Sequence, residues 1–395
     1  MSRLEELIAE LCPDGVEFVP LWSVTIWDKK FNSVDRKKQP KVYDYPYLLA
    51  AELFALQQDG GDVFLLSTGE QTGWTTEEIA GSNMREGEVV TIPWGKSRAV
   101  TDCIKYYKGK FVTADNRIMT SNDTEKLNNK YLYYWIMSQG KIIDTFYRGS
   151  GIKHPDMAKV LDMNIPVPPL PVQREIVRIL DNFTELTAEL TAELTARQKQ
   201  YKYYTEMLFN TAKDVKPTTL EEISENCDYM RKPVTSGKRE AGIIPYYGAS
   251  GIVDYVKDYI LDGDYLLISE DGANLIARST PIAFSITGKT WVNNHAHILK
   301  FKSMATQKYV ERYLNLLDLT PFITGAAQPK LNQKNLNQIQ IPLPPMEEQI
   351  KIMSILDRFD TITNDITNGL PAEIAARQKQ YEYYRDKLLT FKKKG

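Results

Sequence analysis

The residues that could do chemistry come in short polar clusters, and the first question is which clusters could be catalytic. Gly95-Lys96-Ser97 and Gly288-Lys289-Thr290 look like the end of a phosphate-binding loop, but Val90 and Ala283 occupy the position five residues earlier where that loop needs another glycine. The residues after each tripeptide also read as strand rather than helix. Of the three histidines, His295 and His297 alternate, so on a strand they would share one face and could form a metal pair. No third ligand is evident nearby, and the expectation is no metal. There is no GxSxG elbow, no HExxH and no glycine-rich dinucleotide fingerprint. The sequence predicts no catalytic residues and a chain that is not itself an enzyme.

What remains is a set of loops dense in groups that can grip base edges or phosphates. In the second half these are residues 245–251 (PYYGASG), 270–275 (EDGANL), 292–297 (VNNHAH) and 327–333 (AQPKLNQ). Their candidate DNA contacts are Tyr247, Ser250, Asp271 and Asn274, then Asn293, Asn294 and His295, then Gln328, Lys330, Asn332 and Gln333. In the first half the related segments are 67–75 (STGEQTGWT), 93–98 (PWGKSR), 115–117 (DNR) and 148–154 (RGSGIKH). Candidates there are Gln71, Thr72, Lys96 and Arg98, then Arg117, Arg148, Lys153 and His154. Asn and Gln can hold adenine by two hydrogen bonds and Arg or Lys can hold guanine, while lysines and glycine amides suit phosphates. Trp74, Trp94, Tyr246 and Tyr247 could pack on sugars or bases, or serve as core or rim aromatics. Taken singly, each loop could be an ordinary Asn/Gly turn. Recurrence in both halves beside the same connector favours recognition.

That connector belongs to a repeat. Residues 165–183 (IPVPPLPVQREIVRILDNF) return as 341–359 (IPLPPMEEQIKIMSILDRF), and ARQKQYKYY at 196–204 returns as ARQKQYEYY at 376–384. Duplication on this scale implies two equivalent units and an approximate twofold axis. The proline stretches IPVPPLP and IPLPP predict extended connectors, because proline lacks the amide a helix needs. After each, apolar residues recur every three or four positions, from Ile176 to Leu194 and from Ile352 to Ile374, as on one buried helical stripe. A helix over 172–211 would span about 60 Å, and its simplest partner is its own repeat, antiparallel. Asn368-Gly369-Leu370-Pro371 predicts a break in the second helix. Asp357 to Arg377 is four residues longer than Asp181 to Arg197, suggesting one extra turn. The tandem TAEL units, marked by Thr187, Leu190, Thr191 and Leu194, could act as a ruler: each adds about 6 Å and about 40° to a helix. They could equally be adaptable filler.

The net charge of −2 does not announce a nucleic-acid binder, so any DNA surface must be a local basic patch or be completed by a partner. Three scattered cysteines without a CxxC fit reduced thiols. No apolar run is long enough to span a membrane, and the N-terminus does not resemble a signal peptide, so the expectation is cytoplasmic, without membrane contact.

With IPLPP followed by EEQIKIMSILDRFD, the ending RQKQYEYYRDKLLTF and the tandem TAEL units, the chain resembles specificity subunits of type I restriction–modification systems. The TAEL units resemble those of the subfamily in which their number sets the gap between half-sites. The loops YYGASG, EDGANL, NNHAH and QPKLNQ are similar to family recognition domains, whereas the first half has SGIKHPDM in place of AQPKLNQ. The fold class implied is α+β: two tandem, β-rich globular target recognition domains, separated and followed by long helices that pack as an antiparallel pair. The expected divisions are 1–164 and 216–340 for the recognition domains, with 165–215 and 341–395 for connector and spacer helix. The resemblance implies a non-catalytic subunit that binds double-stranded DNA and two modification subunits, with restriction subunits in the full complex. S-adenosylmethionine, ATP and Mg would act in those partners, with no cofactor in this chain. Arg197, Lys199, Tyr203, Arg377, Lys379 and Tyr383 are the candidate docking residues, with solvated helix faces as the alternative. The competing readings are a stand-alone bipartite DNA-binding regulator and a protein-interaction scaffold.

Overall fold

A computed structural model describes residues 2–395 apart from Tyr47, Glu70, Gln71, Asp115, Ala212, Lys213, Asp214, Ala326 and Ala327. The chain forms two compact units, one of Met1–Glu189 with Ile374–Gly395 (unit 1) and one of Leu190–Glu373 (unit 2). Both boundaries fall inside helical stretches, the first within the TAEL repeat.

Unit 1 is built on a six-stranded sheet in the order Thr25–Trp27, Asn116–Ser121, Arg85–Pro93, Lys105–Thr113, Val63–Leu66 and Trp74–Thr75. Unit 2 has two four-stranded sheets. One runs Ser224–Asn226, Ala296–Phe301, Tyr265–Ser269, Ala283–Ile286, and the other is built around the hairpin Ala241–Gly248 and Gly251–Val256. Strand alternation explains the unbroken apolar run Tyr265–Ile268. Leu266 and Ile268 enter the core beneath the helices, while Tyr265 and Leu267 enter a second core on the other face. Val89 and Val90 split the same way in unit 1.

The connectors are extended as expected. Phe18–Pro20 pairs with Asn164–Pro166, and Pro217–Thr219 pairs with Gln340–Pro342. A buried tyrosine hydroxyl donates to the connector in each unit, Tyr131 to Pro166 O at 3.0 Å and Tyr309 to Pro342 O at 2.8 Å. Gln173 and Gln349, buried, donate to Pro168 O and Pro344 O, both at 2.7 Å. One detail differs from expectation: the first long helix, Leu170–Thr211, already includes Pro171. Its missing amide costs nothing in a first turn, where amides have no helical partner.

The second spacer is two helices, Met346–Asn364 and Leu370–Leu388. The four extra residues therefore do not add a helical turn. They are taken up by the break, where Asp365 Oδ1 accepts the Thr367 and Asn368 amides at 2.7 and 3.1 Å. An Asx turn of this kind competes with helix continuation.

The repeat also closes each unit reciprocally. In unit 1, Phe183 of the first copy stacks on Tyr384 of the second at 5.4 Å, and Leu389 is buried in the core. In unit 2, Phe359 of the second copy stacks on Tyr204 and Tyr201 of the first at 5.6 and 6.1 Å, and Phe209 is buried in the core. Unit 1 is further sealed by the chain end, where Val16 N donates to Lys392 O at 2.8 Å and Lys394 N to Val16 O at 2.9 Å.

Candidate nucleic-acid interface

The four loops singled out in the second half meet at one place in unit 2, tied by backbone hydrogen bonds. Asn293 N donates to Tyr247 O at 3.0 Å, Glu270 N to His295 O at 2.9 Å and Leu331 N to Glu270 O at 2.8 Å. Gly272 N donates to Pro329 O at 3.2 Å, and the Ser269 hydroxyl donates to Ala249 O. Beneath them lies a buried charge network. Asp228 takes His297 Nδ1 at 2.6 Å and Arg231 at 3.3 Å, while Glu270 takes Arg231 and, at 2.9 Å, Lys330. Burial pushes Glu270 up, but its bonds from Lys330 and Arg231 outweigh that and leave it below the usual carboxylate range. Burial likewise raises Asp228, and the bond and charge of His297, with the Ile298 amide and Arg231, carry it below its usual value.

His295 and His297 do not share a face. The strand starts at Ala296, and the turn before it is held by Asn293 Oδ1 accepting the His295 amide at 2.8 Å. His295 is exposed against Asp271 at 2.9 Å, whereas His297 is 1% exposed and its Nε2 donates to Leu331 O at 2.7 Å. Donor atoms of Asp228, Glu270 and His297 lie within 4.8 Å of one another. Arg231 and Lys330 already supply positive charge to the two carboxylates, which makes this an ion-pair network rather than a vacant cation cage.

The other unit 2 candidates divide by what they touch. Asn274 holds its own turn, accepting from Ser279 and the Thr280 amide at 3.0 Å. Asn332 caps the short helix Gln333–Asn337 through the Asn335 amide at 2.9 Å. Ser250, Asn294, His295, Gln328, Lys330 and Gln333 are exposed, and Tyr247 is half-buried against Phe284.

Unit 1 gathers its loops in the same way. Lys96 and Lys153 exchange backbone hydrogen bonds, His154 Nδ1 donates to Trp94 O at 2.9 Å, and Arg98 Nη2 donates to Thr68 O at 2.8 Å. Several cations are committed internally. Arg117 is 3% exposed, pairs with Asp28 at 3.3 Å and lies 4.4 Å from the Trp94 ring centre. Lys96 pairs with Asp144 and sits over the Tyr147 ring. Arg148, Lys153 and His154 are exposed, Thr72 is half-buried, and Gln71 lies outside the described residues. Sequence reasoning missed Lys29, Lys30 and Asn32, which line a concavity of about 490 Å³ with Trp94 and Arg117. Burial, then the Arg117 charge, holds Lys29 below the ordinary ammonium range. The dipeptide Lys29-Lys30 after the strand Thr25–Trp27 was the available signal.

The helical candidates appear as matching surfaces. Tyr203 is 63% and Tyr383 62% exposed, each edge-on to its neighbour at 5.5 and 5.3 Å. Arg197 and Arg377 reach Gln200 and Gln380, both at 3.2 Å, and Lys199 and Lys379 are exposed. The tandem repeat is thinly covered. Thr187, Leu190 and Leu194 are half-buried, and Thr191 is exposed.

The two halves of the chain match one and the same family. The family described as type I restriction modification DNA specificity domain matches residues 14–197 and again 212–376. The chain belongs to this family. It is 32% identical to the EcoR124I/EcoR124II specificity subunit of Escherichia coli, over all of this chain and 98% of that one. A putative type I restriction enzyme specificity subunit of Haemophilus influenzae is 34% identical over 78% of this chain and 83% of its own length. In fold it resembles the crystal structure of the type I system S subunit from M. genitalium, with a TM-score of 0.58 and 16% identity over 94% of this chain and 96% of that one. Among the described residues, no helix is long and apolar enough to cross a membrane. Specificity subunits of this family recognise DNA and act in a complex without catalysing the reaction themselves.

Proposed function

We propose that the two loop clusters read the two halves of one split, non-palindromic DNA sequence, one half per unit. The observation that carries this is the contrast between frame and loops. The connector ribbon, the buried glutamine, the tyrosine lock and the reciprocal Phe–Tyr stacks recur in both units. The exposed loop residues do not. A repeated frame suits repeated partners, and diverged loops suit two different base sequences.

The partners in this reading are double-stranded DNA, two modification subunits that methylate adenine N6 with S-adenosylmethionine, and restriction subunits that use ATP and Mg. The matched exposure of Tyr203 and Tyr383, with Arg197, Lys199, Arg377 and Lys379 beside them, supports one equivalent docking surface on each unit. A solved chain from work on complex assembly of the type I system shares the fold, with a TM-score of 0.53 over 95% of this chain. The TAEL segment would set the gap.

The test is to co-express the chain with its modification subunit and map methylated adenines across the host genome. The expected result is one bipartite sequence with a fixed gap. Exchanging residues 216–340 for a related domain should change one half only, and deleting Thr187–Leu190 should change the gap alone. Altered half-site letters after that deletion would remove the ruler, and a continuous or palindromic site would remove the reading.

A further inference from the structure

The loop between Arg148 and His154 in unit 1 and the loop between Thr324 and Lys330 in unit 2 are closed alike at the residues that pin them. Arg148 pairs across the first with His154, and Thr324 pairs across the second with Lys330, both ends displaced by the same 176 residues as the connectors. Each loop begins on a glycine in the left-handed half of backbone space, Gly149 at φ +139° and Gly325 at φ +85°. A Cβ on Gly149 would lie 2.9 Å from the carbonyl oxygen of Ile152, and one on Gly325 would lie 2.5 Å from that of Gln328. Both loops thus return so that the carbonyl of their fourth residue covers their first, a closure only glycine permits. The fourth residue is Ile152 in one unit and Gln328 in the other.

Gln328 is exposed and carries an amide that can both donate to and accept from a base edge. Ile152 is 68% exposed, and its Cγ2 rests over Gly95, where a Cβ would come within 2.7 Å. Exposed Arg148 and Lys153 belong to the same loop, which exposed His154 ends. A stiff, β-branched aliphatic side chain held in water among cations has its apolar surface unused until something covers it. Loop cations attract phosphates, and DNA offers one group in its major groove that suits an aliphatic tip, the 5-methyl of thymine.

We infer that Ile152 is a base-reading residue of unit 1, covering a thymine 5-methyl group at the loop position where unit 2 offers the hydrogen-bonding amide of Gln328. This rests on the half-site reading proposed for the two units. Arg148 and Lys153 hold the flanking phosphates and leave the letter to Ile152.

The experiment uses the full chain assembled with its modification subunits and the bipartite site found by methylation mapping. Each thymine of the unit 1 half-site is replaced in turn by deoxyuridine, which removes the methyl group and nothing else. One replacement should weaken binding about three- to fivefold, the worth of one buried methyl. Ile152→Ala should weaken binding to thymine DNA by a similar factor and make that same replacement neutral, with an unchanged salt slope. Lys153→Ala should lower the salt slope by about one instead. Ile152→Val, which keeps the β-branch, should retain the methyl sensitivity, and Ile152→Gln, which carries the unit 2 side chain, should lose it and serves as the probe if the alanine variant does not assemble. The inference is overturned if no thymine methyl in that half-site is felt, or if its loss is felt equally by wild type and Ile152→Ala. A complex that binds no split site would instead overturn the half-site reading, and this inference with it.

Discussion

Unit 1 and unit 2 each anchor their loop cluster on an aspartate in an equivalent place and then use it differently. Asp28 Oδ1 accepts the Ile118 amide at 3.2 Å and Asp228 Oδ1 accepts the Ile298 amide at 2.9 Å, so each acid pins the start of an equivalent strand. The residue before that amide is Arg117 in one unit and His297 in the other. Arg117 turns its guanidinium onto Trp94 and so ties the strand to the 93–98 loop. His297 instead donates to Leu331 O and ties the strand to the 327–333 loop. One change of side chain, from arginine to histidine, redirects which loop is braced. A recognition domain can therefore change its readers while its frame stays.

The sharpest way to break this comparison is to remove each of these two side chains. Arg117→Ala takes the partner from a buried aspartate and the stacking cation from Trp94, so it should cost about 3–5 kcal/mol, in line with breaking a buried ion pair. His297→Ala leaves Arg231 at 3.3 Å from Asp228 and should cost about 1–3 kcal/mol, the penalty for unsatisfied buried acceptors. Amide exchange at Ile118 and Ile298 in the full chain reads the two separately. Equal losses, or a larger loss from His297→Ala, would mean the two anchors are not used as described.

A smaller effect tests whether the two loops are one design. Gly149→Ala and Gly325→Ala should each cost about 1–3 kcal/mol of local strain, with Gly325 the worse because its carbonyl contact is closer. Each should weaken binding at its own half-site alone. The reciprocal stacks come next. Phe359→Ala loses contacts to both Tyr204 and Tyr201, whereas Phe183→Ala loses one to Tyr384. Beyond the lost burial, which both share, the stacks should add about 1–2 kcal/mol in unit 2 and about 0.5–1.5 in unit 1. Thermal unfolding of the two variants side by side checks the order.

The parts of this molecule visible in the sequence are those fixed by local chemistry. Prolines forbid helix in 165–169, three- and four-residue apolar spacing demands it afterwards, and Asn368-Gly369-Leu370-Pro371 marks the break. Tertiary choices were visible only in outline, as an antiparallel pairing of the two repeats. The repeat shows that ARQKQYxYY occurs twice, but not that each copy completes the unit holding the other copy's phenylalanine. The four extra residues fit a turn of helix equally well in sequence, and only the cap made by Asp365 assigns them to the break. At the loops, residue type says a group is polar without saying what satisfies it. Lys96, Arg117, Asn274 and Asn332 turn to partners inside the protein, while Arg148, Lys153 and Gln328 face solvent. Ile152 gives no sign of itself in the sequence, because an apolar residue carries no recognition signal until its exposure is known.

The smallest effect expected is a difference in acid response, and its sign comes from the two aspartates. Burial, against the pull of Arg117, holds Asp28 above the ordinary carboxylate value, so the folded unit binds a proton there more readily than the unfolded chain. Its contribution to stability therefore rises as pH falls from that raised value toward the ordinary one. Asp228 and Glu270 are both below their ordinary values, so their contribution is present above the unfolded carboxylate range and fades as pH falls through their lowered folded values. Acidification should thus loosen the Asp228 anchor before the Asp28 anchor. Amide exchange measured from neutral pH down through the carboxylate range should show Ile298 losing protection while Ile118 keeps it. Loss at both amides together, or at Ile118 first, would mean that the charge network under the unit 2 loops is not what distinguishes the two anchors.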